Sequence, residues 1–118
     1  MSPVTSIAAS GMRLASASMN AHASNIANLM TEGYQARKVS GVTSVGGGVS
    51  ASVSVDLTPG ARVSDQNAAG APETRQLSNV NLEDEMIGAR LSAFMYAANA
   101  AVIYSADAMA GTLLNRMA

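Results

Sequence analysis

The sequence contains no cysteine and no tryptophan, and only one phenylalanine and three tyrosines in 118 residues. The missing cysteines exclude disulfide staples and thiolate metal sites, and they remove redox chemistry as a guide to compartment. The shortage of aromatics leaves few side chains bulky enough to fill a private core. Charge is scarce too, at 13% of residues, about half the usual share. Seven basic and eight acidic residues give a net charge of −1, which argues against a large electrostatic footprint for nucleic acid. The most apolar uncharged run, Leu91 to Ala106, includes Ser92, Asn99 and Ser105. It falls short of the roughly 20 apolar residues that a membrane span needs. The N-terminus has neither the basic region nor the continuous apolar region of a cleaved secretory signal.

What remains is 48% hydrophobic, mostly Ala, Val and Met. Such a chain has little charge for a surface and little bulk for a core. It reads as a subunit covered by copies of itself or by partners.

Three segments are expected: residues 1–33, 34–78 and 79–118. In the first, Ser2 before Pro3 reads as an N-cap with proline at the first helical position. Met12, Ala15, Met19, His22, Ile26 and Leu29 alternate at three and four residues, a coiled-coil-like seam on a helix from Pro3 to Leu29. The helix should stop near Thr31 to Gly33, where glycine supplies a positive φ. In the second, Val49, Ala51, Val53, Val55 and Leu57 alternate with Ser or Asp, as in a half-buried strand. Gly46-Gly47-Gly48 can turn it back on Val39 to Val45 as a hairpin. The stretch TPGARVSDQNAAGAPETRQ is dense in Gly, Pro, Asn and Asp and reads as a loop.

In the third segment Asn81 is a candidate N-cap, and Glu83, Asp84 and Glu85 place negative charge on a helix's first turn. The helix should run to about Asn115. Leu82, Met86, Ala89, Ala93, Tyr96, Ala100 and Ile103 make one seam. Ile87, Leu91, Phe94, Ala98, Val102 and Met109 lie away from it, so the helix is apolar nearly all round and must touch several neighbours. The expected fold is mainly α: two long terminal helices pairing as a coiled-coil-like hairpin, with a small β-hairpin and loop region between them.

No catalytic constellation is visible. His22 is the single histidine and falls on the first seam as a packing residue. Glu83, Asp84 and Glu85 diverge around the helix and do not converge on one ion. The triple glycine precedes a strand, with no lysine after it, unlike a phosphate loop. No enzyme activity, metal or cofactor is expected.

The stretch ASNIANLMTEGYQ, Ala23 to Gln35, places Asn25 and Asn28 in the last turns of a good helix, although asparagine competes with the helix for backbone hydrogen bonds. Locally read, Asn28 ends the helix and Asn25 faces solvent. Alternatively both amides cross to a neighbouring backbone and set register, as a buried polar residue does in a coiled coil.

Ser10-Gly11-Met12, Asn25-Ile26-Ala27-Asn28 and Thr31-Glu32-Gly33-Tyr34, at this spacing, resemble the N-terminal signature of the bacterial flagellar axial proteins, the rod and hook family. Ser78-Asn79-Val80, Glu85-Met86, Ala98-Asn99-Ala100 and Gly111-Thr112-Leu113-Leu114 resemble the C-terminal helix of the same family. The sequence departs from the pattern at Ser24, at Met30-Thr31, at Ala93-Phe94-Met95 and at Ala101.

The resemblance implies a structural subunit of the basal-body rod, most like a short proximal-rod protein. Its terminal helices would build a helical tube with copies of itself and other rod and hook proteins. Export would run through the flagellar type III apparatus without a cleaved signal, into the periplasm, with no nucleic acid bound and no stable membrane insertion. Asn25, Asn28 and Asn99 would set register. Met12, Met19, Ile26, Leu29, Met86, Tyr96, Ile103 and Leu113 would pack, and Gly33 and Tyr34 would form the turn. The other reading is a divergent paralogue acting as a secreted or cytoplasmic helical interaction module.

Overall fold

The computed structural model describes residues 3–117; the expected N-cap Ser2 lies outside them. The elements are α1 (Pro3–Ala27), β1 (Arg37–Thr43), β2 (Val49–Val55), β3 (Arg62–Gln66), β4 (Pro72–Gln76) and α2 (Leu82–Met117). The two helices form an antiparallel pair, and the molecule extends over 83 × 24 × 17 Å. With a rise of about 1.5 Å per residue, α2 is ~54 Å long and α1 ~37 Å, so the end of α2 runs on beyond the start of α1.

Local chemistry sets the helix ends. The Asn81 side chain accepts from the Glu83 N–H at 3.0 Å, and its carbonyl takes the Glu85 N–H at 3.0 Å, the N-cap expected from sequence. The last turns of α1 tighten: the Asn28 N–H is shared between the carbonyls of Ser24 and Asn25. The chain then turns through Gly33 at φ 66°, a conformation that costs glycine little.

β1 and β2 pair antiparallel, with Val39 opposite Val53 and Gly41 opposite Ala51. The glycine turn closes them as expected: the Ser44 N–H reaches the Gly48 carbonyl, and all three glycines have positive φ. This hairpin does not project from one end. It folds back along α1, and its tip lies at Ile7 and Ser10. The expected half-buried strand is also more open than its alternation suggests: Val53 remains 61% exposed.

The stretch read as a loop is a second hairpin, β3 paired with β4. Its turn is built by the Asn67 carboxamide oxygen, which accepts the N–H groups of Ala69 and Ala71 at 3.0 Å each. An asparagine that mimics a turn's backbone in this way needs no apolar support.

α1 is the centre of the fold. Two stripes on it, about 110° apart on the helical wheel, face different partners. Ala8, Gly11, Ala15, His22 and Asn25 face α2; Ser10, Leu14 and Ala21 face the first hairpin. Among the described residues, α2 contacts neither hairpin's strands.

The helix pair meets through small and polar positions. Gly11 lies against Asn99, His22 against Gly88 and Asn25 against Glu85; each step along α1 is matched by an equal step back along α2. The seam expected on α2 is therefore rotated by about one residue, ~100°. Met86, expected to pack, is 53% exposed, and Leu113 is 64% exposed. Buried apolar residues among those described are four alanines: Ala8, Ala15, Ala21 and Ala36. Helices that approach at glycine, alanine and serine leave their large side chains outside.

Candidate functional site

The most constrained point of the molecule is Asn25, the one large side chain that is fully buried among the described residues. It sits where both stripes of α1 converge, so its amide meets the first hairpin, the turn and α2 together. Nδ2 donates to the Arg37 carbonyl at 2.8 Å and to Glu85 Oε1 at 2.9 Å. Oδ1 accepts the Arg37 N–H at 2.8 Å and the Tyr34 hydroxyl at 3.1 Å. Two donors and two acceptor sites are all that a carboxamide has, and all four are used.

The pair of bonds to Arg37 matters most for the fold. Arg37 opens β1, and its peptide groups point off the hairpin's outer edge. The Asn25 amide occupies the place of a neighbouring strand's peptide. At the other edge, Ser10 Oγ accepts the Val49 N–H at 3.0 Å. Each edge of the hairpin is thus pinned to α1 by one polar side chain.

Around Asn25 the cluster continues. His22 Nδ1 is 2.5 Å from Glu85 Oε2; an ionised carboxylate only accepts, so Nδ1 carries the proton. Tyr34 donates to Asn25, so it receives the Ser24 hydroxyl at 3.2 Å. Glu85, expected to serve only the helix's first turn, turns inward to join α1 to α2. That role was not legible in the sequence, because its partners lie 60 and 63 positions away.

A second amide, Asn79, holds the other side of this junction. Its Oδ1 accepts the Ala36 N–H at 2.7 Å, and its Nδ2 donates to the carbonyls of Asp56 at 2.9 Å and Thr58 at 2.7 Å. Nearby, Lys38 Nζ is 2.6 Å from Asp56. The hydrogen bond from Lys38, helped by the Thr58 N–H, holds the Asp56 carboxyl well below the usual carboxylate range, and the same bond raises Lys38. The second hairpin joins the turn through the Gly33 N–H on the Gln76 carbonyl and through Arg75 Nη1, 2.8 Å from Glu32. Asn79 and Glu85 are the main residues that the sequence reading did not single out for register. Both did fall inside the family-like stretch.

The other residues expected to set register behave differently. Asn28 stays local: Nδ2 donates to the Ser24 carbonyl at 2.9 Å, and Oδ1 accepts the Thr31 hydroxyl at 3.1 Å. Asn99 donates to the Met95 carbonyl at 2.8 Å, with its side chain over Gly11. Of the packing set, Met12, Met19, Ile26, Leu29 and Ile103 are half-buried, and Tyr96 is 39% exposed. An apolar groove of about 760 Å³ runs between the first turns of α1 and the far half of α2, lined by Val4, Ile103, Ala106 and Leu113 among others.

Among the described residues, no three His, Asp or Glu side chains are placed to hold a metal ion. The polar groups of the Asn25 cluster satisfy one another and face no cleft. The geometry suits holding two helices and a hairpin in one register.

α2 stands apart from this order. Ser92 is its one buried residue. By length and composition alone it is apolar enough to cross a membrane, more so than the run from Leu91 to Ala106 suggests.

The family model described as flagella basal body rod protein matches residues 6–35, about a quarter of the chain. No curated protein matches the chain. The matched segment is α1 with its closing turn, and it contains Asn25, Ser24 and Tyr34 of the cluster. In this N-terminal segment the chain is similar to the flagella basal body rod proteins.

Proposed function

We propose that the chain is a rod subunit that assembles through α1 and α2 into a helical tube, with copies of itself and with other rod and hook proteins. One observation carries this reading beyond the N-terminal family match: α2 is apolar on several faces yet packs against the rest of the chain on one. Faces of that kind on a soluble chain mark interaction sites. Met86, Tyr96 and Leu113 are packing residues between subunits in this reading, and the Asn25 cluster presents α1 and α2 at one register. The subunit is of the short proximal-rod type, is exported by the flagellar type III route without a cleaved signal, and works in the periplasm. It has no catalytic role and binds no nucleic acid. Nor does it insert stably in a membrane: Arg90 and Asp107 lie within the apolar part of α2, where lipid penalises charge.

A photo-crosslinking amino acid at Met86, in cells that build flagella, tests the proposal. Adducts with rod-family proteins or with the chain itself are expected. Adducts confined to a cytoplasmic protein would sink it and favour a paralogue working as a helical interaction module. One observation points to that second reading: the family match ends at Gln35 and leaves α2 outside.

A further inference from the structure

The outer face of α2 is self-complementary. Ile87, Leu91, Phe94, Val102, Met109 and Leu113 form one continuous stripe, about 100° round the helix from the face that meets α1. All six are between 44% and 70% exposed. The stripe has a charge at each end, on its own side of the helix: Asp84 at the start and Arg116 at the finish. Neither side chain makes an ion pair or hydrogen bond among the described residues.

These positions mirror one another about Ala100. Ile87 mirrors Leu113, Leu91 mirrors Met109, Ala98 mirrors Val102, and Asp84 mirrors Arg116. Two copies of α2 laid antiparallel about a two-fold axis at the level of Ala100 therefore place apolar on apolar. Asp84 of each copy meets Arg116 of the other. The arrangement is isologous: whatever one copy offers, the other accepts. No like charges face each other, since Arg90 mirrors Ala110 and Asp107 mirrors Ala93. A parallel pairing would instead set Asp84 against Asp84 and Arg116 against Arg116.

We infer that the free chain forms a two-fold dimer through this stripe of α2, with Asp84 and Arg116 choosing the antiparallel arrangement. The dimer covers the most apolar face of the helix while the subunit is outside any larger assembly. It leaves the opposite flank, with Met86 and Tyr104, uncovered. The inference concerns the isolated chain and does not rest on the rod reading.

Sedimentation velocity on the purified full chain provides the test, alongside circular dichroism to show that helix content is kept. The wild-type chain should be a dimer at micromolar concentration, and Leu91→Glu should be a monomer of unchanged helicity. Asp84→Arg and Arg116→Asp should each weaken the dimer about tenfold, because each sets like charges together at both ends. The double variant should restore it to within about threefold of wild type. A monomeric wild type, a dimer that survives Leu91→Glu, or a double variant no better than its single parents would overturn the inference. So would binding of the wild-type chain as a monomer to phosphatidylcholine–phosphatidylglycerol vesicles, which would make the stripe lipid-facing.

Discussion

The Asn25 side chain takes both backbone groups of Arg37, its carbonyl and its N–H, each at 2.8 Å. One carboxamide thereby does the work of a strand residue from within a helix. It welds the end of α1 to the start of β1, while its remaining bonds reach Tyr34 and Glu85.

Replacing Asn25 with Leu strands the Arg37 peptide groups, the Tyr34 hydroxyl and a Glu85 oxygen without their buried partner. A loss of about 2–4 kcal/mol is expected, the range for breaking a buried polar network. Chemical denaturation followed by circular dichroism measures it. Helix content before the transition should stay near wild type. Asn28→Ala, which removes only bonds within the helix end, should cost under about 1 kcal/mol.

Asn25→Asp keeps the shape and inverts the chemistry. Both donors vanish, and a carboxylate faces the Glu85 carboxylate. Two such groups share a site poorly when both are ionised, so one takes up a proton more readily folded than unfolded. A group whose folded pKa is raised is favoured at low pH, so the penalty is greatest near neutrality and shrinks below about pH 5. Melting temperatures of this variant and of wild type should converge as pH falls from 7 to 4.

Gly88→Ala would ordinarily gain about 1 kcal/mol in a helix. Here the added methyl enters the His22 ring, so a loss of about 1–3 kcal/mol is expected instead. The double variant Gly88→Ala, His22→Ala removes the clash along with the bond to Glu85. Its stability should exceed the sum predicted from the single changes, and thermal unfolding of all four chains gives the coupling directly.

Asp56 gives the first hairpin an acid limit. Its folded pKa is depressed, so its contribution is present above the usual carboxylate pKa and is lost as pH falls through the folded value. Asp56→Asn should be less stable than wild type at pH 7, modestly so because the pair is open to solvent. The difference should close progressively below about pH 4. Unfolding midpoints between pH 2 and 7 follow it.

Much of this architecture is legible in the sequence where local chemistry decides it. Asn81 caps α2, Gly33 turns with a positive φ, and Gly46-Gly47-Gly48 closes the first hairpin, each from its own residues. The second hairpin escapes the same reading because nothing apolar alternates in it; Asn67 and the backbone ladder hold it. The seam on α2 is misplaced for a different reason. Large apolar side chains are expected inward, but in one isolated chain the close approach of Gly11, Gly88 and Ser92 turns them outward. Asn25 is visible as an anomaly, a poor helix former in a good helix. Its partners Arg37 and Glu85 are not, because only the folded chain brings them together.

A rod subunit has a fixed place, and so a fixed copy number, in the basal body. Quantitative mass spectrometry of intact, purified basal bodies measures it. The chain is expected at several copies per basal body, in constant ratio to the other rod proteins. Its absence from basal bodies, with the chain abundant in cytosol or medium, would rule out the proposed role.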